Sequence, residues 1–257
     1  MPVVALHHGI FGFDELRLGP LRFPQFPGIP AALQAAGHTA IVTRVHPTAS
    51  IPRRAEQLKA SLLRQLSNIP EPAQPVVLIA HSLGGLDARF MLAHLDMARH
   101  VSALLTISTP HRGASLADLC LHHLDFRLRI YRAIESLGLD LGAARDLTRP
   151  AMARFNRDTP DHPDVRYFSI TCAAPRSAIR PKFRLSHHLI EKQEGPNDGM
   201  VAPVSSRWGT HLAHWEMDHL SAINRRSPNP LALLRGRAEN NPTIPELYLR
   251  AVREIAY

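Results

Sequence analysis

The stretch VVLIAHSLGG, residues 76–85, runs an apolar segment into a serine and then into a pair of glycines. Val76 to Ala80 is continuously apolar and rich in branched side chains, which predicts a strand covered on both faces. From Leu83 to Leu92 the residues have helical potential, so Ser82 is predicted at a strand-to-helix turn. A nucleophile on such a sharp turn needs small residues two positions before and after it, because larger side chains collide with the strand and helix. Those positions hold Ala80 and Gly84, an A-x-S-x-G pattern in place of the usual G-x-S-x-G. By itself the motif leaves Ser82 open between a nucleophile and the polar end of a buried strand.

Working outward, further strand-like runs occur at VVALHH (3–8), TAIVTRV (39–45), ALLTIS (103–108) and VRYFSIT (165–171). Between them, Pro52 to Asn68 places Ala55, Leu58, Leu62 and Leu66 at the three- and four-residue spacing of a buried helical stripe, with Pro52 suited to a first turn. Alternating strand and helix predict an α/β fold over residues 1–257: a single domain with a mostly parallel central sheet and helices on both faces. Residues 112–197 depart from the alternation and include a long helical stretch, 117–139, which predicts a helical cap or lid insertion over one end of the sheet. Proline clusters at 19–30 and 69–75 fall between elements and read as rigid connections.

Of the 257 residues, 45% are hydrophobic and 20% charged, which supplies a sizeable core and excludes a disordered chain. No run approaches the roughly 18–20 apolar residues of a membrane-spanning helix. The apolar start is too short for a signal peptide, so a cytoplasmic location is expected. Only Cys120 and Cys172 are present, so no disulfide framework is predicted. The formal charge is +8, yet the basic residues are dispersed apart from 176–184 and lack the interleaved aromatic pattern of base stacking, so no nucleic-acid partner is expected.

A serine hydroxyl attacks only when a base takes its proton and a third group orients that base. On this fold the order along the chain is Ser, then Asp or Glu, then His. Asp198 lies downstream in EGPNDGMV (194–201), a segment that also reads as a plain tight turn. Of the 16 histidines, His7, His8, His81 and His111 precede the acid and fail the order, while His211, His214 and His219 follow it. His219, in EMDHLSAIN after a possible strand HLAHWEM, is the expected base. The oxyanion needs preorganised amides, expected from Leu83, directly after the serine, and from Ile10 in HHGIFGFD (7–14), whose glycines also fit an ordinary turn.

Taken together, HHGIFGFD, FPGIPAALQAAG, RAEQLKA, LIAHSLGGLDARF, STPHRGASLAD, MARFN, YFSIT, GPNDGMV and DHLSAIN are collinear and extend to about Asn224. This ordered set resembles the bacterial triacylglycerol lipases of the Pseudomonas and Burkholderia type, within the α/β hydrolase fold. The resemblance implies Ser82 as nucleophile, Asp198 as acid, His219 as base, Ile10 and Leu83 as oxyanion donors, and Arg54 as a brace of the oxyanion loop. It places the family's lid after Ala117, over an acyl pocket that opens at a lipid surface.

Two departures from that family stand out. Its structural calcium is held by an aspartate two residues after the catalytic histidine and by a side chain a few residues further on. Here those positions are Ser221 and Arg225, which do not suit a hard cation, so no metal is expected and the Arg225 charge is expected to brace the histidine loop instead. The secreted members also carry a cysteine soon after the aspartate, where this chain has MVAPVSSRW, so an intracellular relative without that disulfide is expected.

The expected function is cofactor-free hydrolysis of acylglycerol or other fatty acyl esters through an acyl-serine intermediate, with peripheral contact to lipid. The alternatives are an acyltransferase or thioesterase acting on acylated lipids, and a non-catalytic binding protein on the same fold.

Overall fold

The computed structural model describes residues 2–10, 15–18, 21–70, 75–122, 145–225 and 241–256. Six parallel strands form the central sheet: β1 (Val3–His7), β4 (Thr39–Val42), β5 (Val76–His81), β6 (Val101–Ile107), β7 (Arg166–Ala173) and β8 (Thr210–Glu216), in the order β4-β1-β5-β6-β7-β8. A short antiparallel pair, β2 (Glu15–Leu18) and β3 (Leu21–Pro24), stands apart from it. The sequence does not announce this pair, because β3 falls within a proline-rich run that reads as a connection.

Strands with apolar residues on both faces need cover on both, and the helices supply it. Val4 and Leu6 of β1, with Val77 and Ile79 of β5, pack in one cluster under α1 (Ile29–Ala35) and the C-terminal helix Thr243–Ala256, whose Tyr248, Val252 and Ile255 are buried. Val3 and Ala5, with Val76, Leu78 and Ala80, face the other cluster under α2 (Ile51–Leu66) and α3 (Gly84–His94). The stripe read from the sequence is the buried face of α2: Ala55, Leu58 and Leu62 are all fully inside. Burying a leucine of this kind contributes roughly 1.5–3 kcal/mol, so the stripe fixes α2 against the sheet.

In the region expected to depart from simple alternation, β7 is joined by α4 (Ser115–His122), α5 (Arg149–Asp158) and α6 (Arg184–Glu194). Of the long helical stretch expected at 117–139 within the lid insertion, residues 123–139 lie outside the described residues. α5 begins with Thr148 as a side-chain cap, its hydroxyl accepting from the Ala151 amide at 3.3 Å, and Pro150 in the first turn. Among the described residues no helix is long and apolar enough to cross a membrane.

Candidate active site

All six strands point the same way, so their carboxyl ends share one edge, where open α/β sheets carry their reactive groups. β5 ends one residue before Ser82, β6 one residue before Ser108, and β8 three residues before His219. Asp198 comes to the same edge in a loop after α6, tied to the end of β7 by the Ala174 amide donating to Asn197 O at 3.1 Å.

Ser82 has a φ of 57°, in the left-handed region that side chains other than glycine avoid. Such a residue costs of the order of 1–3 kcal/mol and persists only where its surroundings over-determine it. They do so here: the Ser82 amide donates to Ile107 O at 2.9 Å, and the Thr109 hydroxyl donates to Ser82 O at 2.7 Å. Space is equally restrictive. A Cβ on Gly84 would come 2.7 Å from His8 O, and one on Gly85 would come 2.3 Å from Thr109 Oγ1. Ala80 is fully buried in the cluster shared with α2 and α3, so its small size is a packing requirement.

His219 Nε2 stands 2.9 Å from Ser82 Oγ and His219 Nδ1 stands 2.7 Å from Asp198 Oδ2. The structure therefore brings together the serine, the acid and the base expected from the sequence, all three nearly or fully buried. Asp198 is held from several sides: the amides of Met200 and Val201 donate to Oδ1 at 2.9 and 2.7 Å, and the Ser108 hydroxyl donates to Oδ2. The Asn-Asp-Gly segment is thus both a turn and a carboxylate mount. The His219 amide donates to Asp198 O at 2.9 Å, so base and acid are also joined through the backbone.

The competing histidines are occupied elsewhere. His211 and His214 both reach the Thr171 hydroxyl, at 3.1 and 2.8 Å. His7 meets Thr43 and Asp87, and His111 stacks on Trp208 with ring centroids 5.1 Å apart. His81 is different: its Nε2 donates to the carbonyl of His219 at 2.9 Å, with ring centroids 4.5 Å apart. Burial, reinforced by the neighbouring His219, pushes His81 well below the ordinary imidazole range. It stays neutral and holds the His219 backbone through that contact. Chain order excludes His81 as the base but cannot reveal this supporting contact.

Of the expected oxyanion donors, Leu83 directly follows the serine, and Ile10 follows Gly9, whose backbone packs against Ser82. Leu83 caps α3 at its N-terminus, where first-turn amides have no intrahelical acceptor and the helix dipole favours negative charge. The side chains of Ile10 and Leu83 share an apolar cluster with Ile51, Leu86 and Met152. Gly9 precedes Ile10 for a reason other than a turn: a Cβ there would lie 2.6 Å from Ser82 Cβ. Only glycine lets this backbone approach the serine so closely.

Arg54 is fully buried beneath that loop. Its Nη2 donates to His8 O at 2.8 Å and its Nε donates to Asp87 Oδ2 at 2.9 Å, so one guanidinium ties the segment carrying the expected oxyanion donor Ile10 to α3.

Arg225 Nη1 donates to Gln25 Oε1 at 3.3 Å, its amide donates to Leu220 O at 3.0 Å beside His219, and Arg180 also braces the histidine loop. Arg180 Nε lies 3.3 Å from the buried Asp218 carboxylate, and Nη2 donates to Ser221 Oγ at 3.1 Å and to the carbonyl of Arg225. The oxygens that flank His219 thus already face a cation. A calcium ion there would meet the guanidinium at contact distance, so this donor set does not fit the metal. Arg180→Ala is expected to lower stability by about 2 kcal/mol, read from urea midpoints. EDTA is expected to leave the parent's activity unchanged; loss on chelation with recovery on added calcium would contradict this account.

A family model described as the PGAP1-like alpha/beta domain matches residues 52–209. Triacylglycerol lipase 2 of Saccharomyces cerevisiae is 34% identical over 77% of this chain, which spans 61% of that protein's length. The triacylglycerol lipase of Pseudomonas fragi is 28% identical, covering 90% of this chain and 92% of its own. Among solved structures, a metagenomic carboxyl esterase superposes with a TM-score of 0.79 at 22% identity, over 99% of this chain and 75% of that one. The last likeness establishes the α/β hydrolase fold.

Proposed function

The chain belongs to the PGAP1-like alpha/beta domain family on an α/β hydrolase fold, and from that premise we propose that it is a serine carboxylic ester hydrolase acting on fatty acyl esters. The observation that carries the reading is the continuous hydrogen-bond line from Ser82 Oγ through His219 to Asp198, at 2.9 and 2.7 Å. Neighbouring lipases and esterases support the ester linkage as the bond cleaved.

In this reading His219 Nε2 takes the Ser82 proton as Oγ adds to the ester carbonyl, and the imidazolium is stabilised by Asp198 through Nδ1–H. The amides of Ile10 and Leu83 receive the charge that develops on the carbonyl oxygen, each contributing about 3 kcal/mol in the transition state. Collapse expels the alcohol, which takes its proton from His219. Water then attacks the acyl-serine with His219 again as base, and the fatty acid leaves. No step requires a cofactor.

The lid over 112–197 and peripheral contact with lipid belong to the same proposal. The basic segment 176–184, followed by Leu185 at 71% exposure, is the described surface that suits an acyl-rich interface.

A fluorophosphonate probe is expected to label Ser82 stoichiometrically, located by peptide mass spectrometry, and p-nitrophenyl esters and emulsified triglyceride are expected to be hydrolysed. Absence of an adduct would point to the non-catalytic alternative. Transfer to an added alcohol in preference to water would point to the acyltransferase.

A further inference from the structure

We propose that Ser108 is a positioning residue for the acid and base of this site, an inference that rests on the hydrolase reading. Ser108 follows β6 directly and is fully buried, with a φ of 52°. Its setting repeats that of Ser82 one strand along. The Ser82 amide donates to Ile107 O at the end of β6, and the Ser108 amide donates to Ile170 O in β7 at 3.0 Å. Two neighbouring strand ends therefore each carry a serine in the left-handed region.

Glycine would adopt this backbone without strain, so the Ser108 side chain is held at a cost to the fold. What it contributes is a hydroxyl aimed at Asp198 Oδ2. That oxygen is the one that accepts from His219 Nδ1, while Oδ1 is taken by the Met200 and Val201 amides. With donors on both oxygens from opposite directions, the carboxylate cannot rotate away when the imidazole gains its proton. Behind Ser108, the buried Cys172 thiol is pushed well above its usual range, chiefly by burial and then by the Asp198 charge, so it adds no second anion to the cluster.

Such a role separates two properties of Ser108 that a packing role would keep together: the hydroxyl serves turnover, whereas the Cβ carries the strain. Comparing Ser108→Ala with Ser108→Gly tests this, since both lack the hydroxyl and only glycine relieves the strain. Both variants are expected to show kcat for p-nitrophenyl ester hydrolysis about tenfold below the parent with KM unchanged. The glycine variant is expected to melt a few degrees above the alanine one.

Parental kcat in Ser108→Gly would overturn the inference, because the hydroxyl would then be dispensable. A rise in KM that accounts for the whole loss would overturn it too. If the parent itself neither hydrolyses esters nor takes the fluorophosphonate label, the hydrolase reading fails, which is distinguishable from an active parent matched by an equally active glycine variant.

Discussion

Replacing Ser82 with alanine is expected to lower kcat for p-nitrophenyl esters by about 10⁶-fold, and adding His219→Ala to it should cost little more. The reason lies in the geometry of proton transfer. His219 Nε2 is directed at Ser82 Oγ at 2.9 Å, and without that oxygen the imidazole has no proton to take and no bond to help form. Serine and histidine act as one unit, so their losses do not add. Steady-state kinetics of the two single variants and the double variant, prepared from a host free of background esterase, would measure this. A Ser82→Ala enzyme retaining more than about 1% of activity would place the nucleophile elsewhere. A double variant far below both singles would mean that the two residues serve separate steps.

Arg54→Met is expected to be the most damaging change outside the reacting groups, costing about 3–5 kcal/mol of stability and lowering kcat by about 10²-fold. Arg54 and Asp87 are both fully buried, with Arg54 Nη2 2.8 Å from Asp87 Oδ2. Removing the guanidinium leaves the Asp87 carboxylate in the interior beside the His7 imidazole. In the parent, burial and the Arg54 charge hold His7 below the ordinary imidazole range despite its hydrogen bond with Asp87. Activity falls for a separate reason. The same guanidinium holds the carbonyl of His8, two residues before the Ile10 amide, and releasing it loosens the proposed oxyanion donor, whose position must hold to a fraction of an ångström.

A second substitution separates the two effects. Asp87→Asn in the Arg54→Met background removes the uncompensated charge and should restore part of the stability in urea titrations, while kcat stays low. If kcat recovered along with stability, Arg54 would serve the fold alone.

Much of this molecule is legible along the chain, because the relevant forces are local or periodic. The apolar runs of β5 and β6 read as covered strands since both faces of each are buried. The stripe of α2 reads as a helix since its leucines recur at helical spacing. The small residues around Ser82 read as a crowded turn, and the order of Ser82, Asp198 and His219 matches the order expected for a serine nucleophile on this fold.

The pair of strands at Glu15–Leu18 and Leu21–Pro24 is not read from the sequence, because the second lies in a proline-rich run that reads as a connection, even though both segments alternate polar and apolar residues. Strand ends also fall a residue or more from where the apolar runs would put them: β4 stops at Val42, where Thr43 turns its hydroxyl toward His7 and Leu6 O.

What the sequence alone determined is which residues are apolar, which turns must be tight, and in what order the reactive groups arrive at the sheet edge. What only the tertiary structure decided is which buried polar group meets which. Ser108 and Asp198 are 90 residues apart, His81 and His219 are 138 apart, and Arg180 reaches Asp218 across 38. A brace of the histidine loop that the chain order does not reveal comes from Arg180, which arrives from another loop. Hydrophobic periodicity encodes the side of an element that leaves water, but a hydrogen bond is short and directional, and its partner is set by how distant loops fold back over the same strand ends.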